Sequence, residues 1–273
     1  MKIALFPNMA IQQSKALAIS IKEFLEAQKH QGFIFEDFKA PHGDLKKMDF
    51  LMTLGGDGTI LKLKHHYPDV DIPILGVNVG HLGFMADIQT SDIYPSLQEF
   101  LEGKFTVQER LILESTHSDH PGEFACNDII IHRGAFPAIV QIAVHVDGSY
   151  FNTFEADGII ISTPNGSTAY SLAAGGPILS PEMDAVVITP ICPHTISNRP
   201  LVISASHEIK LQYLTPESKV EVRFDGSWVL PLSSGESCII KKSKRKFKLV
   251  KLNRCEYYAT LRTKLNWQGR LRY

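Results

Sequence analysis

The chain has few of the features that mark secreted, membrane-spanning or nucleic-acid-binding proteins. Its 273 residues include four cysteines that lie far apart and form no Cys-x-x-Cys pair, which predicts reduced, packed thiols rather than a disulfide framework or a zinc site. No apolar run is long enough to cross a bilayer, and the first one, Lys2–Phe6, is too short for a secretory signal. The net charge of -1 provides no field that would attract nucleic acid or an acidic membrane. We therefore expect a cytoplasmic globular protein with no nucleic-acid or membrane partner.

Several familiar catalytic signatures are also missing. The sequence contains neither a Gly-x-x-x-x-Gly-Lys-Ser/Thr loop nor a Gly-x-Gly-x-x-Gly segment after its first strand, which disfavours a P-loop enzyme and a hydride-transferring dehydrogenase. Ser167 does not lie in a Gly-x-Ser-x-Gly elbow, so a serine hydrolase has little support. His65 and His66 lack a third ligand at metal spacing, and we predict no metal site built by protein side chains. The basic run at residues 241–246 is typical of the exposed end of a hairpin.

The first part of the chain alternates between strand-like and helix-like patterns. The alternation runs through Lys2–Phe6, then Leu17, Ile21, Phe24 and Leu25, then Phe50–Leu54, then Ile72–Val77, then Ile93, Leu97, Phe100 and Leu101. This order is the signature of βαβ units and a parallel sheet. It predicts a Rossmann-like α/β domain over residues 1–106.

The pattern of apolar residues changes after that domain. Short alternating segments follow, among them Phe105–Leu113, Phe124–His132, Ile139–Val146, Glu208–Leu214 and Phe247–Leu252. Asp147-Gly148 and Asp225-Gly226 lie between such segments and are a strong hairpin signal. We expect a mostly antiparallel β domain over residues 107–253. Helical spacing in residues 254–273 predicts a final helix that packs back on the first domain.

The segment from Leu51 to Thr59 carries the strongest chemical signal. Its apolar run stops at Gly55, Gly56 and Gly58, which surround the carboxylate of Asp57, and a helix-compatible stretch follows. Glycines let a ligand approach the main chain, and the N–H groups at a helix start attract anions, so the pattern favours a phosphate site. A carboxylate among phosphate-binding donors is repelled unless it performs chemistry or holds a metal. The same residues could instead form a tight connection in which Asp57 caps the helix.

Residues 157–177 form a second unusual segment. A strand-like run enters a polar turn with Pro164 and Gly166, and a stretch of small residues follows. The polar groups available there are the Asp157 carboxylate, the Thr168 and Ser171 hydroxyls and the Tyr170 ring. Such a surface suits a flat ligand with polar edges, for example a nucleoside. A buried helix of small residues with a Ser/Thr cap would show the same pattern.

Taken in order, these segments resemble the landmarks of the NAD kinase family. The segments that carry the resemblance are Gly55–Thr59, Gly80–Phe84, Asn127–Asp128, Asp157–Pro177 and Pro193–Pro200. The stretch Ser162–Tyr170 is the most specific of them. The glycine–aspartate motif alone also resembles that of 6-phosphofructokinases and of diacylglycerol or sphingosine kinases, which lack anything like Ser162–Tyr170.

The resemblance implies a reaction in which the γ-phosphoryl group of ATP moves to the 2′-hydroxyl of the adenosine ribose of NAD, giving NADP. Asp57 would accept the hydroxyl proton, and Mg²⁺ or another divalent cation would be carried by the nucleotide. The residues implied to bind phosphate or ATP are Gly55, Gly56, Gly58 and Thr59. Those implied to bind NAD are Asp57, Gly58, Phe84, Asn127, Asp128, Asp157, Thr168, Ala169, Tyr170, Ser171, Leu172 and Ala173. The family also implies a homodimer or homotetramer with contacts between β domains.

One residue departs from the family pattern, which usually has glutamate where this chain has Asp128. Aspartate keeps the charge and loses one methylene, so we expect the ribose contact to be shifted or bridged by water. The alternatives at this stage are a lipid or sugar kinase that shares the glycine motif, and an NAD(P)-binding sensor without turnover. The preference for NAD or NADH, and for ATP or polyphosphate, stays open.

Overall fold

The computed structural model describes residues 1–80, 82–86, 88–117, 120–216, 219–267 and 269. In chain order the strands are β1 (Lys2–Pro7), β2 (Gln31–Ile34), β3 (Phe50–Gly55), β4 (Ile74–Asn78), β5 (Ile88–Gln89), β6 (Phe105–Arg110), β7 (Leu113–His117), β8 (His120–Ala125), β9 (Asp128–His132), β10 (Val140–Val146), β11 (Ser149–Ala156), β12 (Gly158–Ser162), β13 (Ala185–Ile191), β14 (Leu201–Ser204), β15 (Ile209–Tyr213), β16 (Lys219–Phe224), β17 (Trp228–Ser233), β18 (Ser237–Lys242) and β19 (Phe247–Leu252). The helices are α1 (Gln12–Ala27), α2 (His42–Leu45), α3 (Asp57–His66), α4 (Ile93–Leu101), α5 (Tyr170–Ala173) and α6 (Tyr257–Lys264).

The first of two compact units comprises residues 1–109 and the described residues from 247 onwards. Its sheet has the strand order β2-β1-β3-β4-β19-β6, with β5 beside β4. The pairs β1–β2, β1–β3, β3–β4 and β4–β19 are parallel. Because strands of a parallel sheet are covered on both faces, they read as continuous apolar runs, as β4 does with every residue buried. The predicted α/β class of this part of the chain is confirmed.

Helix α1 shows how the apolar spacing of the sequence becomes packing. Its buried residues are Ser14, Ala18, Ile21 and Leu25, which recur every three to four positions and therefore lie on one face. Leu17 and Phe24 flank that face and are partly buried against the same core. The Ser14 hydroxyl donates to the Leu54 carbonyl at 2.6 Å, so the helix is also tied to the end of β3.

The second unit comprises residues 110–246 and contains two six-stranded sheets. Their strand orders are β11-β10-β15-β18-β7-β8 and β14-β13-β12-β9-β16-β17. The pairs within them are antiparallel, for example β10–β11 and β12–β13. Alternate residues of both sheets meet in one apolar core that includes Ile131, Ile161 and Tyr213. The predicted antiparallel β class is confirmed, and the arrangement is a β-sandwich.

Both predicted Asp-Gly hairpins are confirmed. Asp147 and Gly148 join β10 to β11 with φ of 48° and 78°, and Asp225 and Gly226 join β16 to β17 with φ of 48° and 70°. Two successive positive φ values define the tight turn whose twist matches the flanking strands. Aspartate and glycine are the residues that tolerate this conformation.

Two strands that the sequence analysis assigns to the β domain lie in the sheet of the first unit instead. Phe247–Leu252 forms β19, which pairs in parallel with β4, and Phe105–Arg110 forms β6 at the edge of the same sheet. The alternation of Phe247, Lys248 and Leu249 suggested an exposed hairpin, but Lys248 is paired with Asp71 at 2.9 Å, and Lys251 on the same strand is buried. The basic run at 241–246 therefore comprises the end of β18 and the segment that leads to β19 of the first unit, and it does not join two strands of one hairpin.

Helix α6 belongs to the first unit. Leu261 is its buried residue, whereas Tyr258 is exposed. No helix in the described part of the chain combines the length and the apolar character that a bilayer span needs.

The sandwich core should set the stability of the second unit. Ile161 is fully buried among the two sheets, and replacing it by alanine leaves a cavity, so Ile161→Ala should lower the free energy of unfolding by about 2–5 kcal/mol. The matched control is Ile139→Ala, because Ile139 is 44% exposed and the same change there should stay within about 0.5 kcal/mol. Urea unfolding followed by tryptophan fluorescence measures both. Equal midpoint shifts for the two variants would contradict the assignment of the core.

Candidate active site

Asp57 lies at the carboxyl edge of the parallel sheet, where β3 ends and α3 begins. Its carboxylate accepts three main-chain hydrogen bonds: from Phe84 to Oδ2 at 2.7 Å, and from Met85 and Ala86 to Oδ1 at 3.0 and 3.1 Å. The loop after β4 therefore supplies donors to a carboxylate at the end of β3. In open α/β sheets, ligands bind outside the carboxyl ends of the strands, so the position is that of a ligand site.

The free acceptor capacity of Asp57 is on one oxygen. A carboxylate has about four lone-pair positions, two on each oxygen. Oδ1 uses both of its positions on Met85 and Ala86, whereas Oδ2 receives only Phe84 among the described residues. Asp57 is half-buried. Its Oδ2 can accept one further hydrogen bond, and a substrate hydroxyl can supply it.

Gly83 is required by this contact. A Cβ placed on Gly83 would lie 2.7 Å from Cγ of Asp57 and closer still to Oδ1, a separation that real Cβ atoms do not show. The sequence analysis includes Gly83 in the Gly80–Phe84 loop without giving a reason for a glycine there. The close approach of the carboxylate to the main chain is that reason. His81, also in that loop, lies outside the described residues.

The predicted phosphate-binding residues are brought to the same turn but differ in exposure. Gly58 is exposed and Gly56 half-buried, while Gly55 and Thr59 are buried. The Gly55 carbonyl accepts a hydrogen bond from the Val79 N–H at 2.9 Å, which joins the turn to the loop after β4. The Thr59 hydroxyl accepts a hydrogen bond from the Asn8 side chain at 3.4 Å. The main chain of the turn is thus accessible at Gly56 and Gly58, whereas Thr59 is part of its buried side.

Phe84 has a partner from the end of the chain. Its ring lies 4.2 Å, measured to the centroid, from the Lys264 ammonium of α6. A cation over an aromatic face is an attractive contact of roughly 0.5–2 kcal/mol. Helix α6 is therefore in contact with the loop that donates to Asp57.

In the second unit, Asp128 is the first residue of strand β9, and Asn127 directly precedes it. The Asp225 carboxylate of the β16–β17 turn accepts main-chain hydrogen bonds from Cys126, Asn127 and Asp128, at 2.9, 2.7 and 3.2 Å. The Asn127 side-chain oxygen accepts a bond from the Asn165 amide at 2.6 Å. The structure therefore brings Asn127, Asp128 and the turn after β12 together.

That turn is packed tightly on the start of β9. The Thr163 N–H donates to the Asn127 carbonyl at 2.8 Å, and the Thr163 hydroxyl donates to the Cys126 carbonyl at 2.7 Å. A Cβ on Gly166 would lie 2.7 Å from the Asn127 Cα, so no side chain fits there. The polar turn of the sequence analysis is thus a fixed element next to Asn127 and Asp128.

The predicted run Thr168–Ala173 forms a single helical turn and the short helix α5 after that element. Ala169, Tyr170 and Ala173 are exposed, and Thr168 and Leu172 are half-buried. Ser171 is fully buried, with its hydroxyl 2.9 Å from that of Thr189. The run therefore presents small side chains and the Tyr170 ring outward, while the Ser171 side chain secures the helix to β13.

Asp157 is not placed with the other predicted dinucleotide residues of this unit. It precedes β12, whereas Thr163 and the segment after it follow the far end of that strand, roughly 16 Å away at about 3.3 Å per residue. Its carboxylate is paired with the Arg133 guanidinium at 2.7 Å. Arg133 also donates to the Phe136 carbonyl. Asp157 and Asn127 therefore define two ends of one surface.

Burial changes the acid–base behaviour of Asp128. Burial, reinforced by the negative charge of Asp225, raises the pKa of Asp128 to about 7. Perturbed carboxylates concentrate at functional sites, because removing them from water is costly without a role. Sequence analysis names Asp128 but cannot supply this property, and it assigns Asp225 to a hairpin only. The Asp-Gly turn was the available signal for Asp225.

Residues able to hold a metal are not grouped in the described part of the chain. It contains no set of three or more His, Cys, Asp or Glu side chains arranged around one point. The Asp57 carboxylate is largely occupied by N–H donors. A divalent cation would therefore depend on ligands from a nucleotide, as Mg²⁺ commonly does.

These features define a class of protein with two units. One unit has a parallel sheet with a carboxylate at its carboxyl edge, and the other is a β-sandwich. Comparison with known proteins gives the particular family. Residues 8–105 match the ATP-NAD kinase N-terminal domain, and residues 126–252 match the ATP-NAD kinase C-terminal domain. The chain belongs to the NAD kinase family.

Individual relatives agree with this assignment. The NAD kinase of Protochlamydia amoebophila (strain UWE25) is 46% identical over 277 residues, which cover 99% of this chain and 99% of that protein. An NAD kinase from Archaeoglobus fulgidus in complex with ATP has a TM-score of 0.82 at 25% identity, covering 98% of this chain and 100% of the other. Yeast NADH kinase complexed with NADH has a TM-score of 0.85 at 23% identity, covering 100% and 89%, which shows a shared fold.

The contact between Gly83 and Asp57 can be tested by a single methyl group. Gly83→Ala must displace either the Asp57 carboxylate or its loop, and a misplacement of about 1 Å can cost roughly 100-fold in rate. We expect kcat for NADP formation to fall by about 10–100-fold. Gly43→Ala is the matched control, since a Cβ there meets nothing within 4 Å. Unchanged kcat in folded Gly83→Ala would contradict the required geometry.

Proposed function

We propose that the protein phosphorylates NAD, transferring the γ-phosphoryl group of ATP to the 2′-hydroxyl of the adenosine ribose, and that Asp57 is its general base. Membership of the NAD kinase family supports the reaction. The relative from Archaeoglobus fulgidus was crystallised with ATP, and the yeast relative with NADH. The observation that carries the role of Asp57 is the free acceptor position on its Oδ2 at the carboxyl edge of the sheet.

The reaction balances with one proton acceptor. The 2′-hydroxyl oxygen attacks the γ-phosphorus, the bond from that phosphorus to the β,γ-bridging oxygen breaks, and ADP leaves. The hydroxyl proton passes to Asp57 Oδ2. The Phe84, Met85 and Ala86 N–H groups fix the orientation of the carboxylate, so that Oδ2 keeps one direction open. Phosphoryl transfer depends mainly on such positioning and on charge stabilisation.

We propose that the turn between β3 and α3 binds the phosphates of ATP. Gly56 and Gly58 leave the main chain accessible, and the start of α3 adds the positive end of a helix dipole. Gly55 and Thr59 form the buried base of that turn. Mg²⁺ or another divalent cation, held by the nucleotide phosphates, supplies charge neutralisation when bound.

Each unit has its own proposed contacts with the dinucleotide: Phe84 in the first unit, and a polar surface in the second. Asn127, Asp128 and the exposed groups of the run Thr168–Ala173 lie near one end of β12, and Asp157 lies at the other end. Two groups of contacts separated along one strand suit a long ligand better than a small sugar. Ser171 is fully buried, with its hydroxyl against Thr189 and its carbonyl bonded to the Gly176 N–H, so its proposed part is to hold α5 in place rather than to contact the ligand.

We also propose that the protein works in the cytoplasm as a homodimer or homotetramer. Several apolar side chains on edge strands and loops of the second unit are exposed, among them Tyr150, Phe151, Val202 and Ile196. Exposed apolar side chains of this kind are available for subunit contacts. Light scattering of the purified protein measures the subunit number.

Asp57→Asn tests the proposed base. The amide keeps the size of the side chain and cannot take a proton, so kcat for NADP formation should fall by about 10²–10⁴-fold. The KM for ATP should change little. Asp44→Asn, at an exposed aspartate of the same unit that pairs with Lys47, is the control and should keep full activity. Full turnover by folded Asp57→Asn would remove Asp57 from the mechanism.

The same assay decides the substrates. It should be run with NAD and NADH as acceptors and with ATP and inorganic polyphosphate as donors, following 2′-phosphorylated product. Turnover of a long-chain diol or a hexose with NAD inert would point to a lipid or sugar kinase. Tight NAD binding without transfer from any donor would point to a sensor. Either result would overturn the proposed reaction.

A further inference from the structure

Asp128 and Asp225 are two neighbouring carboxylates with opposite surroundings. Asp225 accepts three main-chain N–H bonds, from residues 126, 127 and 128, and its own N–H donates to the Asp128 carbonyl at 3.0 Å. The negative charge of Asp225 is therefore well solvated by the protein. The Asp128 carboxyl accepts no hydrogen bond from any residue that the structure describes.

Asp128 is nonetheless buried, with 4% of its surface exposed. Side chains alternate between the two faces of a strand, and Ile129 and Ile131 point into the sandwich core. Asp128 therefore shares the outer face with Ile130, on which Ala174 packs next to α5. The Asp128 carboxyl oxygens are not among the fully enclosed side-chain atoms that lack a partner, so the small exposed part of Asp128 includes the carboxyl. A ligand can therefore reach this carboxyl, which has no protein partner of its own among the described residues.

We propose that Asp225 is a positioning residue for the dinucleotide site, and that it makes the Asp128 carboxyl a neutral acid that donates its O–H to the bound ligand. This inference rests on the proposed function, because it takes NAD as the ligand. A neutral acid donates a hydrogen bond to an acceptor on the ligand, such as a sugar oxygen, a carbonyl or a ring nitrogen. An ionised carboxylate would instead accept bonds from sugar hydroxyls.

Burial and a nearby like charge favour the neutral form of a carboxyl, and both act on Asp128. They raise the pKa of Asp128 to about 7, with burial the larger cause. In the unfolded chain aspartate titrates near pH 4, so the folded protein retains this proton from about pH 4 up to about pH 7. Above about pH 7 the proton is lost, and with it the donor.

Other titratable groups near this face act less directly on Asp128. On β16, the Arg223 guanidinium is paired with the Glu221 carboxylate at 2.5 Å, so the two charges oppose each other in their effect on Asp128. On β9, burial and the charges of Arg223 and Arg133 lower the pKa of His132. Helix α5 contributes the Tyr170 phenol, and β12 contains no titratable residue. Asp128→Asn separates the titration of Asp128 from that of these groups, because the amide does not titrate and the other groups are unchanged.

The first experiment detects the proton on the Asp128 carboxyl in the protein without ligand. Infrared spectra of the full-length protein should show the carbonyl band of a protonated carboxylic acid at about pH 6 that fades by about pH 8. This band should be missing in Asp128→Asn, which keeps all main-chain bonds to Asp225. Absence of the band in the wild-type protein, or its persistence in Asp128→Asn, overturns the inference.

The second experiment measures NAD affinity by calorimetry in the absence of ATP. Since the donor form falls from most of the population to about a tenth of it, wild-type affinity should weaken about tenfold between about pH 6 and about pH 8. Asp128→Asn, whose amide donates at every pH, should bind NAD with little change over that range. A wild-type affinity that rises or stays constant with pH would show the carboxylate accepting, and would overturn the inference.

Asp225→Asn tests the positioning residue. Asparagine tolerates the positive φ of 48° and keeps an oxygen for the Asn127 and Asp128 N–H groups, while the negative charge is removed. The midpoint of both titrations should move to lower pH, and NAD affinity at neutral pH should fall. Asp147→Asn is the matched control, because Asp147 has the same φ of 48° in the other Asp-Gly hairpin. An unmoved midpoint in folded Asp225→Asn overturns the role of Asp225.

These outcomes are distinct from failure of the proposed reaction. If the protein forms NADP but its affinity for NAD stays constant or rises with pH, the kinase assignment stands and the proposed role of Asp128 is wrong. Absence of NADP formation with any donor would end the kinase assignment, while the infrared titration would still report the protonation of Asp128 in the free protein.

Discussion

An aspartate that binds three successive main-chain N–H groups is the interaction on which each unit's site depends. In the first unit Asp57 binds residues 84–86, and in the second unit Asp225 binds residues 126–128. In both cases the carboxylate belongs to a tight turn and the donors belong to another segment of the chain. Charge-assisted hydrogen bonds of this kind are about twice as strong as neutral ones. Each aspartate thus fixes a loop that a sheet alone would leave unconstrained.

The two carboxylates differ in what they leave available. Asp57 is half-buried and retains an acceptor position on Oδ2, so it can take part in chemistry itself. Asp225 acts on its neighbour, because its charge and the burial of Asp128 together hold a proton on that residue. In the proposed roles, the same arrangement positions a proton acceptor in one unit and a hydrogen-bond donor in the other.

Much of this architecture could be predicted from the sequence where the signal is local. The α1 spacing, the β3–α3 glycine turn and both Asp-Gly hairpins depend on residues close together in the chain, and each is confirmed. Strands β6 and β19 could not be assigned correctly, because their partners lie far away in sequence. The run Phe247-Lys248-Leu249 gave the start of β19 the alternation of an exposed strand, although Lys248 is paired with Asp71 and the later Lys251 is buried. The contact of Gly83 with Asp57 is also long-range, so the loop motif was visible but its cause was not.

The aspartate at position 128 gives the second unit a property that a longer side chain would weaken. A carboxyl separated from the main chain by a single methylene stays close to β9 and to the Asp225 turn, where it is buried and faces a like charge. A glutamate, one methylene longer, can move its carboxyl away from that charge and towards water, where the ionised form is stable. In the role proposed for it, Asp128 donates a hydrogen bond where an ionised glutamate would accept one, and ligand affinity then depends on a proton that the fold itself retains.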